Sequence, residues 1–140
     1  MADVALTAAQ IAPVDPDACE IFNGVAGSAV TAGQIVAWNT SGLTVPADAD
    51  GASTLPQARG VALNGGGTGQ AISILKKGLC YGFTITGLAY GAKLYISGTV
   101  GAVSDASISS LEAIGQVVPL SDSSATKVAW FDFNWVDGYA

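Results

Sequence analysis

The sequence predicts an all-β domain, on the strength of three observations. Its 18 glycines are distributed along 140 residues as turn punctuation, mostly beside Asn, Asp, Ser or Thr. The segments between these turns are short and rich in Val, Ile, Thr and aromatic residues. The apolar periodicity of a helix is hard to find. We therefore expect a small β-barrel or β-sandwich-like domain with an extended N-terminal arm and little helix.

The first 18 residues differ from the rest of the chain. Pro13 and Pro16 lie among small residues there, which is typical of an extended arm and not of a core strand. The predicted division is an arm over residues 1–18, followed by a single β-rich domain over residues 19–140. The apolar arm residues available for contact with a partner are Val4, Leu6, Ile11 and Val14.

The clearest predicted strand covers residues 79–86. Its apolar face, which we expect to be buried, comprises Leu79, Tyr81, Phe83 and Ile85. The segment from residue 70 onward also alternates, and Lys77 with Gly78 could supply a tight turn. We therefore interpret residues 70–86 as a β-hairpin.

Other segments repeat this pattern. The further predicted strands cover residues 34–39, 59–64, 92–97, 113–120 and, as the closing strand, 127–135. Large aromatic residues occupy both faces of the closing strand, so we expect both faces to be covered. Residues 43–58 are expected to form a loop. Residues 105–112 form either one helical turn capped by Asp105 or a surface loop.

Composition limits the classes of partner. Only 11% of residues are charged, against roughly 25% in ordinary soluble domains, which suggests that another molecule covers much of the surface. The net charge of −6 disfavours direct nucleic-acid binding, which needs clustered cations. No apolar run reaches the ~18 residues of a membrane-spanning helix. The N-terminus lacks the features of a signal peptide, so we expect synthesis in the cytoplasm.

The titratable residues favour a structural or binding role over catalysis. The sequence contains no histidine, which excludes Ser-His-Asp and Cys-His relays. Cys19 and Cys80 form neither a CxxC motif nor a zinc site, and we expect two buried reduced thiols. A disulfide between them remains an alternative if the chain meets an oxidising medium. We predict no cofactor and no metal.

Three motifs suggest chemistry but are incomplete. The glycine-rich segment 64–70 lacks the Lys-Ser/Thr ending of a phosphate loop and precedes a strand. Residues 48–51 begin like a calcium loop, but Gly and Glu are missing from the required later positions, so we expect an acidic turn. A hydrolase would need two positioned acids, and nothing in the spacing pairs Glu20, Glu112 and Asp132. We expect Asp132 to be a partly buried structural acid.

The tryptophans leave two alternatives open. Trp38, Trp130 and Trp135 could form a platform on which sugar rings stack. Packing in the core or at a subunit interface is the commoner fate of aromatic residues on strands. The candidate core or subunit-interface aromatics are Trp38, Trp130, Phe131, Phe133 and Trp135.

Five segments taken in order resemble a known family. They are residues 31–38 (TAGQIVAW), 58–64 (ARGVALN), 69–75 (GQAISIL, continuing to Gly78), 88–97 (LAYGAKLYIS) and 113–118 (AIGQVV). Over roughly residues 30–133 the chain is similar to the capsid decoration, or cement, proteins of tailed bacteriophages. The resemblance implies a β-rich structural virion protein, commonly a homotrimer, with no catalytic residues. It also implies binding to the outside of the expanded head, where such proteins cement neighbouring capsomers against the internal pressure of the DNA.

The resemblance sets the expected partners and location. They are the major capsid protein and further copies of the chain, on the outer capsid surface of the virion, after synthesis in the host cytoplasm. We hypothesise that the arm is disordered in the free protein and adds a strand to the capsid protein on the head. The alternative functions are a carbohydrate-binding or adhesive β-domain on a virion surface and, less favoured by the residues, an acid-pair hydrolase.

Overall fold

The fold is all-β, as predicted, in a computed structural model that describes residues 3–51, 54–107, 112–120 and 123–135. The described strands are β1 (Asp3–Val4), β2 (Ala12–Pro13), β3 (Glu20–Val25), β4 (Ile35–Trp38), β5 (Thr44–Pro46), β6 (Ala58–Ala62), β7 (Ala71–Tyr81), β8 (Lys93–Ile96), β9 (Val103–Ser104), β10 (Gly115–Leu120) and β11 (Ser123–Asp132). Two 3₁₀ turns, Ala8–Gln10 and Pro16–Ala18, are the helical elements of the described residues.

All these strands join one antiparallel sheet that curls into a half-barrel. The order is β1-β9-β8-β10-β11-β7-β6-β4-β5. Strands β6 and β11 pair with β7, and β2 and β3 also pair with β7, off this path. A parallel bridge between Ala26 and Thr44 joins the end of β3 to β5. The eleven-residue strand β7 is therefore the central element on which the curl is built.

The predicted hairpin over residues 70–86 is wrong, because β7 continues through Lys77 and Gly78. Gly78 has a φ of +142°, and a side chain at this position would collide with the Cys19 thiol. The glycine thus allows the chain beyond the arm to approach β7 closely, and it makes no turn.

The predicted buried face of residues 79–86 is wrong in its first half. Cys80 is buried, whereas Tyr81 is 42% exposed. Glu20 pairs with Lys77 and Ile21 pairs with Leu75, which leaves Lys76 as an extra residue, or bulge, on β7. One extra residue reverses the alternation of side chains between the two faces of a strand, which puts Cys80 on the core face with Leu75. The alternation changes again at Gly82, which has a φ of +105°, so that Phe83 and Ile85 are buried as predicted.

The sheet buries both of its faces along the first half of β7. Ile72 and Ile74 pack in a small cluster with Val36 and Ala62. The other face belongs to the main core, which contains Leu75, Cys80, Ile35, Val61, Leu94, Ile96, Phe83, Phe131 and Phe133 among others. Burial on two faces fits the nearly continuous apolar run of residues 71–75.

The other five predicted strands are present in the structure. Residues 34–39, 59–64, 92–97, 113–120 and 127–135 overlap β4, β6, β8, β10 and β11. The expected loop over residues 43–58 contains β5, and β3 was not predicted at all. The prediction for residues 105–112 rests on residues 108–111, which lie outside the described part of the chain.

Candidate functional site

The N-terminal arm is extended but pairs with its own domain, which differs from the expectation of a disordered arm. Val4 of β1 pairs with Val103 of β9, and Leu6 forms a bridge with Phe83. Farther along, the Val14 amide donates to the Leu79 carbonyl oxygen at 3.0 Å. The arm thus connects β9 to β7, two strands that three others separate in the sheet order. Backbone groups on these strands would otherwise remain unpaired, and this favours a docked arm.

Ile11 anchors the arm. Its side chain is 8% exposed and belongs to the main core. Gly33 and Gly82 both have positive φ, and a Cβ on either would lie 3.0 Å or less from the Ile11 side chain. The two glycines therefore form the socket that receives Ile11.

Strand β3 presents an unprotected sheet edge. It pairs with β7 on one side, and on the other side the described residues add the single bridge between Ala26 and Thr44, beyond its last residue. Ile21 is 41% exposed and Val25 is 49% exposed. Residues 21–25 contain neither charge nor proline, two of the devices that protect an edge, and Glu20 carries the single charge of the strand.

β3 is absent from the predicted strands because a glycine beside Asn, such as Gly24 after Asn23, indicates a turn. Gly24 is required for another reason, since the Thr44 hydroxyl occupies the place where a Cβ would lie. The alternation of Ile21, Asn23 and Val25 with Phe22 and Gly24 is the signal that could have identified the strand.

Two of the five candidate aromatics lie in the core. Phe131 and Phe133 are fully buried, and their rings stack with centroids 5.8 Å apart. Phe83 packs on Phe131 at 5.3 Å. These contacts place one face of β11 inside the half-barrel.

Trp38 and Trp135 form a second aromatic cluster with Phe22. The rings meet edge to face, with centroids 4.8 Å apart for Phe22 and Trp135 and 5.2 Å apart for the two tryptophans. The Arg59 guanidinium lies 4.5 Å from the centroid of the Trp38 ring, and the Lys76 ammonium lies 5.3 Å from that of Trp135. Each indole therefore has a face engaged by a cation of the same chain.

Reciprocal hydrogen bonds fix Trp135 against β6. Its indole N–H donates to the Arg59 carbonyl oxygen at 2.9 Å, and the Arg59 guanidinium donates to the Trp135 carbonyl oxygen at 3.0 Å. With its N–H and one ring face occupied, Trp135 is poorly suited to stack on a sugar.

Trp130 has a different environment, on the outward face of β11. It pairs with Gln116 of β10 and Leu79 of β7, and Gln116 pairs in turn with Lys93 of β8. Directly paired residues project from the same face of a sheet. The four residues therefore form one row across four strands, with Trp130 half-buried.

An open cleft lies on each side of Trp130. The first, of about 230 Å³, is lined by Lys93, Gln116, Trp130 and Asp132 together with residues 113–115. The second, of about 270 Å³, lies towards the end of the arm and is lined by Asp15, Ala18, Cys19, Gly78, Leu79 and Trp130. Sequence reasoning singled out Trp130 but not Gln116 or Lys93, which only strand pairing brings beside it.

The two cysteines occupy opposite environments, and both are free thiols. Cys80 is buried in the main core, where desolvation raises the pKa of its thiol to about 12. Cys19 is partly exposed, so the prediction of two buried thiols is wrong for this residue. Its thiol donates to the Asp15 carbonyl oxygen at 3.1 Å, and desolvation also raises its pKa.

The glycine-rich segment is internally bonded. The amide of Gly66 donates to the Val30 carbonyl oxygen, that of Gly67 to the Gln70 side chain and that of Gly69 to the Ala26 carbonyl oxygen. These amides are thus already committed to the fold and do not point together at an anion.

The acidic residues meet in two places. Asp48 accepts the Asp50 amide in a turn, and desolvation followed by the Asp50 side chain raises the pKa of Asp48. Glu112 and Asp132 line one open cleft of about 440 Å³ with Lys76. Asp132 is exposed and not partly buried as expected, and an acid-pair hydrolase needs one acid in an apolar enclosure. Within the described ranges no three potential metal ligands of the His, Cys, Asp or Glu type come together.

Among the described residues no helix has the length and apolar character needed to cross a membrane. No protein-family model, no curated protein and no solved structure matches the chain.

Proposed function

We propose that the chain is a structural virion protein that binds the outer surface of an expanded phage capsid and cements neighbouring capsomers. The observation that supports this most directly is the free edge of β3, where Ile21 and Val25 are exposed. An edge of this kind can pair with a strand of another protein through main-chain hydrogen bonds. The major capsid protein is the proposed partner.

The low charge of the chain also supports this proposal. With 11% charged residues and a net charge of −6, the surface offers little to a polyanion and much to another protein surface. A protein that binds only the expanded shell stabilises that shell by its binding free energy. Repetition over many identical sites multiplies a modest contribution from each one.

Self-association is part of the proposal. The resemblance to decoration proteins implies a homotrimer. Light scattering on the purified chain tests this directly, because one chain has a mass of 13.9 kDa. We expect three times that mass.

Co-sedimentation with heads tests the proposed function. The probe is a pair of particles, expanded heads and unexpanded proheads, from the tailed phage that encodes the chain. We expect the wild-type chain to sediment with expanded heads and to stay in the supernatant with proheads. A wild-type chain that ignores both particles would defeat the proposal.

A pair of variants locates the contact. Ile21→Lys with Val25→Lys places two charges on the β3 edge without touching the core, and we expect at least a tenfold loss of head binding. Val100→Lys is the matched control, because Val100 is 54% exposed in the turn between β8 and β9. Equal binding by all three proteins would exclude the β3 edge as the contact.

A locked variant tests the arm hypothesis separately. Val4 and Val103 are direct partners across β1 and β9, so Val4→Cys with Val103→Cys can hold the arm on its own domain once oxidised. Capsid pairing by Val4, Leu6, Ile11 or Val14 requires release of the arm, and it predicts loss of head binding on oxidation and recovery on reduction. Binding by the oxidised variant would assign the contact to surfaces outside the arm.

A further inference from the structure

We infer that the outward face around Trp130 binds a neutral glycan, with the indole ring between two adjacent sugar units. This is an activity separate from capsid binding, and it rests on the arrangement of Lys93, Gln116, Trp130 and Asp132. Of the three tryptophans that are candidates for sugar stacking by sequence, the structure favours Trp130.

The first support is the set of polar side chains beside the ring. Gln116 lies directly opposite Trp130, and Lys93 lies directly opposite Gln116 on the next strand. Asp132 is on the same face of β11, two residues beyond Trp130, and lines the same cleft. Across the described part of the chain, the side chains of these four residues make no hydrogen bond or ion pair with one another or with other residues.

The chemistry of these groups suits sugar hydroxyls. A hydroxyl both donates and accepts hydrogen bonds; the Gln116 amide does both, the Asp132 carboxylate accepts and the Lys93 ammonium donates. A flat aromatic ring with a few convergent polar groups is the usual composition of a small-ligand site. The net charge of −6 disfavours sulfated or sialylated glycans, so the ligand class is neutral.

The two clefts set the size of the ligand. Their volumes, about 230 and 270 Å³, each fall below the ~300 Å³ at which sites for drug-sized ligands begin. Each cleft therefore suits one sugar ring, and Trp130 lines both. A glycan of at least two units can place one ring in each cleft and contact the indole between them.

The other tryptophans provide an internal contrast. One face of Trp38 is covered by Arg59 and one face of Trp135 by Lys76, and the Trp135 N–H is bonded to a carbonyl oxygen. Trp130 has neither kind of contact within the described residues. A signal from ligand binding should therefore come from this residue.

A glycan array tests the inference. The full chain, dye-labelled, is applied as wild type, Trp130→Thr, Gln116→Ala and Tyr90→Ala, and neutral hits are then titrated by isothermal titration calorimetry, which does not depend on the Trp130 fluorescence that Trp130→Thr removes. Threonine suits a strand position, and Tyr90 is the control because it is a 45% exposed aromatic outside both clefts. We expect neutral oligosaccharides to bind, with about a tenfold loss of affinity in Trp130→Thr, a smaller loss in Gln116→Ala and none in Tyr90→Ala.

Three outcomes would overturn the inference. They are binding to no neutral glycan, binding to acidic glycans alone, and equal binding by wild type and Trp130→Thr. Denaturant unfolding of Trp130→Thr shows that the variant is folded before its binding is compared. If Trp130→Thr is not folded, the binding of Gln116→Ala tests the same site. Because the array contains no capsid, its result is independent of head binding.

Discussion

Trp130 and Trp135 are the same residue type, five positions apart near one end of the described chain, yet the fold treats them differently. Trp130 stands in the middle of a row on the outward face of the sheet, with a cleft on each side. Trp135 follows β11, packs edge to face on Phe22 and Trp38, and exchanges hydrogen bonds with Arg59.

The difference shows that strand neighbours, and not residue type, decide whether an aromatic is structural. The region around Trp135 supplies a carbonyl oxygen and two cations from the same chain. The region around Trp130 supplies the side chains of Lys93, Gln116 and Asp132, which make no hydrogen bond in the part of the chain that the structure describes. The first set of contacts stabilises the fold, and the second is available to a ligand.

The largest expected effect is a difference in reactivity between the two thiols, one in the core and one on the outward face. Cys80 pairs with Ala129 on the core face of the sheet, whereas Cys19 lines the cleft beside Trp130. A pKa of about 12 for Cys80 leaves about a thousandfold less thiolate at pH 8 than an unperturbed cysteine has. We expect iodoacetamide at pH 8 to modify Cys19 first and Cys80 only in denaturant, as mass spectrometry of the peptides would show.

If Cys80 reacts before Cys19, Cys80 lies outside the core, and the assignment of one buried and one accessible face of the sheet is wrong. Cys19→Ser is the matched control, because it leaves Cys80 as the single thiol. In that variant the labelling rate should follow global unfolding and should rise with denaturant.

The next effect compares neighbours on β11. Phe131 is fully buried against Phe83 and Phe133, and Phe131→Ala should lower the free energy of unfolding by about 3–5 kcal/mol. Trp130→Thr removes a larger side chain from the adjacent position but should cost only about 1 kcal/mol or less. Urea unfolding of both variants measures the ratio, and similar losses would mean that the Trp130 face is covered.

The class of fold could be predicted because its evidence is local. Alternation within short segments and glycine at turns indicated β4, β6, β8, β10 and β11 without knowledge of any partner strand. The position of β7 in the sheet could not be predicted in this way. The bulge at Lys76 is defined by pairing with β3, and Gly78 is required by Cys19, so both signals come from distant residues.

The candidate site was predictable to the same limited extent. Trp130 was a candidate because tryptophans are few, but its indole became distinct from that of Trp135 only when Arg59 and Lys76 were placed. Gln116 and Lys93 carry no special signal in the sequence, and the register of β8, β10 and β11 is what sets them beside the ring. The docking of Ile11 likewise depends on Gly33 and Gly82, which are far from the arm in sequence.

A smaller effect tests the hydrogen bond that distinguishes Trp135. Trp135→Phe keeps an aromatic ring but leaves the Arg59 carbonyl oxygen without its donor, and it should lower the free energy of unfolding by about 1 kcal/mol. Trp130→Phe is the matched control, because the Trp130 N–H makes no such bond within the described ranges. If urea unfolding shows the same loss of free energy of unfolding in both variants, the hydrogen bond does not distinguish Trp135 from Trp130.

The smallest effect concerns the cation on the Trp135 ring. Lys76 lies 5.3 Å from the ring centroid, and its ammonium is 3.8 Å from a carboxylate oxygen of Glu20, whose side chain is 60% exposed. An exposed ion pair contributes little, so Glu20→Gln should change the free energy of unfolding by less than ~0.5 kcal/mol, and by nothing at high salt. Lys76→Gln should cost about 0.5–1 kcal/mol, because it also removes the cation from the ring.

The order of these two losses decides what holds Lys76 in place. If Glu20→Gln costs as much as Lys76→Gln in urea unfolding, the carboxylate positions the ammonium and the ring contributes nothing. The Trp135 face would then be free to accept a ligand, and the contrast with Trp130 would rest on the hydrogen bond to Arg59 alone. If the lysine variant costs more, the indole face is engaged by its own chain, and Trp130 keeps its separate role.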